Sequence, residues 1–191
     1  MESGRAQEIF ITSRALMEGH FKLSSGRHSN QYMQCARVQQ YPDLHEELAL
    51  ELARAFADDQ VEIVVGPAMG GIITAYEVAR QLGISCMFSE REDGRMRFRR
   101  GFEMPPGKRV LVVEDVITTG GSVREVVELL EEVGAVLVGI GVLVDRSGGS
   151  VQFGVKQAAA LTLGIESWEA HDCPMCKAGV GEAIKPGSRS S

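Results

Sequence analysis

Residues 110–122 read VLVVEDVITTGGS. The apolar start, Val110, Leu111, Val112 and Val113, is a strand buried on both faces, and Glu114 ends it. Beyond the string, Val123, Val126, Val127, Leu130 and Val133 recur at helical spacing until Gly134 stops them. The strand therefore runs out through Thr118-Thr119-Gly120-Gly121-Ser122 onto a helix N-terminus. Such a junction suits a phosphate dianion, because unpaired backbone N–H groups and the positive end of the helix dipole point into the loop. Glycines let the backbone come close, and the hydroxyls add donors. Glu114 and Asp115 fall at the carboxyl end of the strand, where open α/β sheets place their ligands. Two acids beside an anion repel it unless they serve its hydroxyls or a divalent cation. Taken residue by residue, the same string also fits an ordinary strand-to-helix turn with Ser122 as N-cap and solvated acids. It has neither the lysine of GxxxxGK[ST] nor the spacing of GxGxxG.

Outward from this string the pattern repeats. Residues 61–65 (VEIVV) end in Gly66-Pro67, and helical periodicity resumes through Ile73, Tyr76, Val78, Ala79 and Leu82 before Gly83. Residues 84–88 (ISCMF) and 136–144 (VLVGIGVLV) complete four apolar strands. The expected fold is α/β, a mostly parallel central sheet flanked by helices. Residues 44–57 read as an amphipathic helix. Residues 21–34, polar and glycine-containing, suggest a cap over the sheet, so residues 1–40 are expected to form an N-terminal hood. Asp93-Gly94 followed by period-two alternation through Arg99 signals a β-hairpin arm, flexible and projecting, over residues 88–102. The Gly/Ser-rich residues 185–191 should fray. One domain over 1–191 is the expectation, since a chain of this length can bury a sizeable core.

A net charge of −6 argues against a broad nucleic-acid or anionic-membrane surface. No stretch approaches the ~20 apolar residues of a membrane span. The start, MESGRAQEIF, lacks the basic-then-apolar pattern of a secretory signal, so a cytoplasmic location is expected. Cys35, Cys86, Cys173 and Cys176 are too few and scattered for a disulfide framework and are read as reduced thiols.

As a whole, VLVVEDVITTGGS resembles the phosphoribosyl pyrophosphate motif of the type I phosphoribosyltransferases. The resemblance implies that fold, with Glu114 and Asp115 as catalytic residues on the ribose hydroxyls, directly or around Mg²⁺. It also implies that Val116, Ile117, Thr118, Thr119, Gly120, Gly121 and Ser122 hold the donor's 5-phosphate. No metal is expected on protein ligands alone; Mg²⁺ would come with the substrate, with Asp115 as the one candidate ligand. Phe21-Lys22-Leu23-Ser24-Ser25-Gly26-Arg27-His28-Ser29 is similar to the FxLxSGRxS signature of orotate phosphoribosyltransferases, and Tyr32 follows it. Gly66-Pro67-Ala68-Met69-Gly70-Gly71 resembles the same family's loop, where small residues allow close approach to pyrophosphate. Val144-Asp145-Arg146 ends a core strand as that family's does. By this resemblance Arg146 and Thr118 bind orotate, and the chain works as a homodimer. A guanidinium fork suits a planar anion. Arg146 alone reads as readily as a surface arginine paired with Asp145, and Tyr32 either stacks on the base or fills the core.

Five of the chain's twenty basic residues, Arg91, Arg95, Arg97, Arg99 and Arg100, fall within ten residues. We expect them to form a basic lid over pyrophosphate, with Arg91 in the donor site. The alternative is a solvated face balanced by Glu90, Glu92 and Asp93. The family's lysines in this loop are missing here, and arginine cannot act as a general acid. The Cys173-Pro174-Met175-Cys176 pair, with only scattered histidines for company, reads as packed reduced thiols in preference to metal or disulfide. His20 and His28 read as structural. Two other functions remain open: a purine phosphoribosyltransferase, and a donor-sensing regulator that binds without turnover.

Overall fold

The computed structural model describes residues 3–23 and 25–186. Met1 and Glu2 of the hood segment, Ser24 of the signature and residues 187–191 of the expected frayed tail lie outside them. Helix α1 (Ser3–Thr12) leads into an antiparallel hairpin of β1 (Leu16–Lys22) and β2 (His28–Met33), followed by α2 (Ala36–Gln39) and α3 (Pro42–Ala55). Pro42 opens α3 at the position where its missing N–H costs nothing, two residues before the apolar periodicity begins. Then come β3 (Ile63–Pro67), α4 (Gly70–Leu82), β4 (Ser85–Glu92), β5 (Arg95–Phe98), β6 (Arg109–Ile117), α5 (Gly121–Glu132), β7 (Val136–Asp145), β8 (Lys156–Thr162) and α6 (Pro174–Lys177).

The main sheet has the order β5-β4-β3-β6-β7-β8, parallel except for β5. Period-two alternation divides each central strand between two apolar layers. Val64, Leu111, Val113 and Leu143 face the layer that contains α1, α3 and α4 residues, while Ile63, Val65, Val110, Val112 and Ile140 face α5. Burial on both sides explains the unbroken apolar runs. Gly139 interrupts one of them because a Cβ there would collide with the fully buried ring of Phe56.

From β3 the chain crosses through α4 to β4 on one side, and from β6 through α5 to β7 on the other. The winding reverses between β3 and β6, and a crevice opens beyond their carboxyl ends. Strand β3 pairs with β6 only as far as Val65 and Val112, so β6 runs on past it. The acids thus lie within the strand, which continues to Ile117 against Asp145 of β7.

Strand β8 escapes sequence reading because its KQAAALT segment is rich in alanine and has a single β-branched residue, Thr162. The hood hairpin is similarly polar, yet it is held on both edges. His28 exchanges two 2.8 Å backbone bonds with Trp168, while Ile184 donates to His20 and accepts from Lys22.

Candidate active site

The strand-to-helix junction expected between β6 and α5 is present. Gly120, at a φ of 78° that glycine adopts readily, is the N-cap of α5, and no side chain caps the helix. The N-cap role considered for Ser122 is therefore not the one observed, since Ser122 lies inside the first turn. Its hydroxyl and the helix's first N–H groups surround a cavity of about 210 Å³ lined by Thr118, Thr119, Gly120, Gly121 and Ser122. Arg91 lines it too and pairs at 2.7 Å with Glu125, whose second carboxylate oxygen is buried without a partner among the described residues.

Glu114 and Asp115 stand at the reversal point. Glu114 is buried and accepts the Asp115 backbone N–H at 2.9 Å. A Cβ on Gly70 would fall on the Asp115 carboxylate, and one on Gly71 would press on Glu114 and Val113, so the GPAMGG loop must be bare to pass there. Neither acid has an ion-pair partner among the described residues. Burial, with Asp115 alongside, pushes the Glu114 carboxyl up to about 9; burial raises Asp115 as well. Two desolvated acids without a cation fit a ligand that brings hydroxyl donors or a divalent ion.

This shift makes stability depend on pH. A carboxyl raised in the folded state binds its proton more tightly there than in the unfolded chain, so its contribution is full below pH ~4.5 and declines as pH rises towards 9. Glu114→Gln, which cannot ionise, should melt progressively higher relative to the unsubstituted protein between pH 5 and pH 9. Ligand-free melting curves across that range check this. A constant difference would show that Glu114 does not titrate there.

Arg146 lines a second cavity, of about 470 Å³, with Tyr32, Leu23, Arg27, Thr118 and Thr119. The two cavities meet at the paired threonines. Asp145 does not pair with Arg146; its carboxylate accepts the N–H groups of Ser147 at 2.7 Å and Gly149 at 3.0 Å. The Arg146 Nε is buried without a partner among the described residues, and burial lowers the guanidinium pKa. An unpartnered buried donor beside an open cavity calls for an acceptor. Tyr32 edges this cavity while its ring meets Phe21 at 5.7 Å.

The arginine-rich hairpin carries acids beside several of its cations. Residues 89–92 pair with 95–98 across the Asp93-Gly94 turn, so the hairpin exists and extends beyond the end of β3. Met96 is buried against the α5 layer. Three of the cations lie beside acids of the hairpin: Arg99 and Arg97 lie 3.2 and 3.8 Å from Glu92, and Arg100 lies 2.8 Å from Glu90. For these three the arrangement is the acid-balanced one. Of the five arginines, Arg91 is the one that lines the cradle.

Arg27 and Gln39 were not assigned roles from sequence. Arg27 edges the second cavity and donates to Ser167 Oγ at 2.9 Å, tying the hood to the C-terminal segment. Gln39 donates to the Gly70 carbonyl at 2.8 Å and thereby holds the loop over Asp115. The SGR signature could have flagged Arg27; nothing in the local sequence marks Gln39.

The phosphoribosyl transferase domain family matches residues 36–153. The orotate phosphoribosyltransferase of Pelotomaculum thermopropionicum is 58% identical over 181 residues, covering 95% of each chain. That of Thermotoga maritima is 53% identical over 183 residues, 96% of this chain and 97% of its own. The crystal structure of orotate phosphoribosyltransferase from Aeropyrum pernix superimposes with a TM-score of 0.67 at 29% identity, over 92% of this chain and 98% of that one.

Proposed function

The chain belongs to the orotate phosphoribosyltransferases within the phosphoribosyl transferase domain family, and from that premise we propose how its own residues carry out the transfer. The reaction moves ribose 5-phosphate from phosphoribosyl pyrophosphate to N1 of orotate, giving orotidine 5′-monophosphate and pyrophosphate. The observation that carries the site assignment is the pair of cavities joined at Thr118-Thr119, one built for an anion and one holding an unpartnered arginine.

In this reading Thr118, Thr119, Gly120, Gly121 and Ser122, with the backbone of Val116 and Ile117, receive the 5-phosphate on the α5 N-terminus. Arg91 exchanges part of its contact with Glu125 for donor oxygens. Glu114 and Asp115 accept hydrogen bonds from the ribose hydroxyls, for which two cation-free buried carboxylates are suited. Arg146 places its fork on the orotate carboxylate or adjoining carbonyl, and Thr118 reaches the same base from the shared wall. No protein nucleophile is required. The anomeric C–O bond breaks with its electron pair leaving on pyrophosphate, the bond to N1 forms, and the N1 proton passes to the departing pyrophosphate. Positive charge grows on the anomeric carbon as pyrophosphate departs, and Asp115 and Glu114 stabilise it once the bound donor and its cation have drawn them into the ionised form that burial disfavours in the free protein. Asp115 is the candidate protein ligand for a Mg²⁺ that would be held chiefly by donor oxygens and would supply charge neutralisation for the leaving pyrophosphate.

The assay is direct. With Mg²⁺ and phosphoribosyl pyrophosphate, orotate should be consumed in step with pyrophosphate release, while adenine, guanine and hypoxanthine are spared. Consumption of a purine instead, or binding without turnover of any base, would overturn this reading.

Among the described residues no helix is long and apolar enough to cross a membrane. We place the enzyme in the cytoplasm, where its free thiols would remain reduced. We also assign it a homodimer. Met69, Ile73 and Tyr76 follow one another at helical spacing from the start of α4 and are 83%, 49% and 63% exposed, an apolar strip suited to a second copy. Light scattering should give twice the chain mass for the unsubstituted protein and the monomer mass for Tyr76→Glu. A monomeric unsubstituted protein would refute the pairing.

A further inference from the structure

The C-terminal Cys173 and Cys176 do not form an isolated pair. Folding brings them against His20 of β1 and His28 of β2, from which they are separated by more than 140 positions in the chain. His20 Nε2 lies 2.9 Å from His28 Nδ1 and 3.5 Å from each sulfur, and Cys176 Sγ lies 3.3 Å from His28 Nδ1. All four donor atoms fall within 4.8 Å of one another. A tetrahedron with Zn–N of about 2.0–2.1 Å and Zn–S of about 2.3 Å has edges of roughly 3.3–3.8 Å. Three of the nitrogen–sulfur distances match those edges, and the two nitrogens stand slightly closer. So compact a set has room for one ion and none for an iron–sulfur cluster.

The surroundings select the donor form of His20. Its Nδ1 lies 2.9 Å from the Val180 carbonyl and 3.1 Å from that of Gly181, so Nδ1 carries the proton and Nε2 turns its lone pair to the cluster. A metal-bound imidazole is commonly oriented by this kind of outer hydrogen bond. Cys173, His20 and His28 are buried, while Cys176 is exposed.

We propose that His20, His28, Cys173 and Cys176 form a structural Zn²⁺ site that fastens the C-terminal segment to the hood hairpin. Four protein ligands leave no open position, which suits a structural ion; two imidazoles and two thiolates in a tetrahedron favour zinc. The earlier preference for packed reduced thiols rested on missing ligands, and the fold supplies them. The fastening has a consequence for the base cavity. Tyr32 and Arg27 enter it from the hood, Ile165 and Ser167 from the clamped segment, and Arg27 joins the two through Ser167. The ion would hold together two walls of that cavity without touching substrate.

The test uses the full-length chain, expressed with zinc in the medium and analysed for metal by mass spectrometry. About one zinc per chain is expected. Cys176→Ser and His28→Asn should each lower the content at least tenfold, whereas Cys86→Ser should leave it unchanged. The unsubstituted chain, stripped and reloaded with Co²⁺, should show the intense visible bands of tetrahedral cobalt with thiolate charge transfer, a readout that needs no variant to fold. Chelation should lower the melting temperature by several degrees without any ligand of the active site present. Zinc at trace level together with no tetrahedral cobalt spectrum would overturn the proposal. So would a Cys173–Cys176 disulfide in the metal-free protein as isolated from a reducing cytoplasm. None of these readouts depends on orotate turnover, so failure of the site and failure of the assigned reaction are separable.

Discussion

Asp115→Asn is expected to lower kcat for orotate by about a hundred- to a thousand-fold, the loss typical when one preorganised electrostatic group facing transition-state charge is removed. The substitution preserves side-chain volume, so the close passage of the Gly70 backbone over this side chain is undisturbed. What disappears is a negative charge facing the carbon from which pyrophosphate departs. Burial already raises the Asp115 pKa in the free protein, so an uncharged amide there should melt no lower than the original, with an advantage that grows as pH rises above the ordinary carboxylate range. Steady-state kinetics beside melting curves separate the two effects: turnover collapses while the fold holds. A kcat within about threefold of the unsubstituted enzyme would remove Asp115 from the chemistry.

Arg146→Ala should act on the acceptor. Its Nε is a buried donor waiting for an acceptor, and Asp145 is committed to the following turn. Losing two charge-assisted hydrogen bonds to orotate should lower kcat/KM by roughly 3–5 kcal/mol, on the order of a few hundred- to a few thousand-fold. Affinity for phosphoribosyl pyrophosphate, measured by calorimetry without orotate, should change little, because the phosphate cradle lies on the other side of Thr118-Thr119. Arg146→Lys should recover only part of the loss, since an ammonium lacks the planar fork. Equal loss of donor affinity and orotate kcat/KM would mean that Arg146 supports the whole site and does not read the base.

The cradle was legible because both halves of its signal are local. A strand buried on both faces and a helix with one apolar stripe leave different periodicities, and VLVVEDVITTGGS spans the change between them. The small residues of the α4 loop were read as room for pyrophosphate, whereas their crowding against the Asp115 and Glu114 carboxyls could be seen only in the fold. Arg146 was singled out through family likeness alone, for a single arginine after a strand has no period. What was lost was non-local. The arginine arm suggests a lid by its charge density, while the acids beside Arg97, Arg99 and Arg100 depend on how the hairpin brings them alongside. Strand β8 is built of alanines whose burial is decided by β7 and α3, and not by their own propensity. Cys173 and Cys176 looked unaccompanied because their histidines belong to the hood, and only the closing of the chain on itself joins them.

The central assignment is that one product molecule spans two joined cavities, its phosphate on the α5 N-terminus and its base against Arg146. A crystal structure with orotidine 5′-monophosphate tests it most directly. We predict phosphate oxygens within hydrogen-bond distance of the Thr118–Ser122 backbone N–H groups, ribose hydroxyls at Glu114 and Asp115, and the base carboxylate or carbonyl on the Arg146 guanidinium. A phosphate seated away from the TTGGS loop, or a base turned from Arg146, would contradict it.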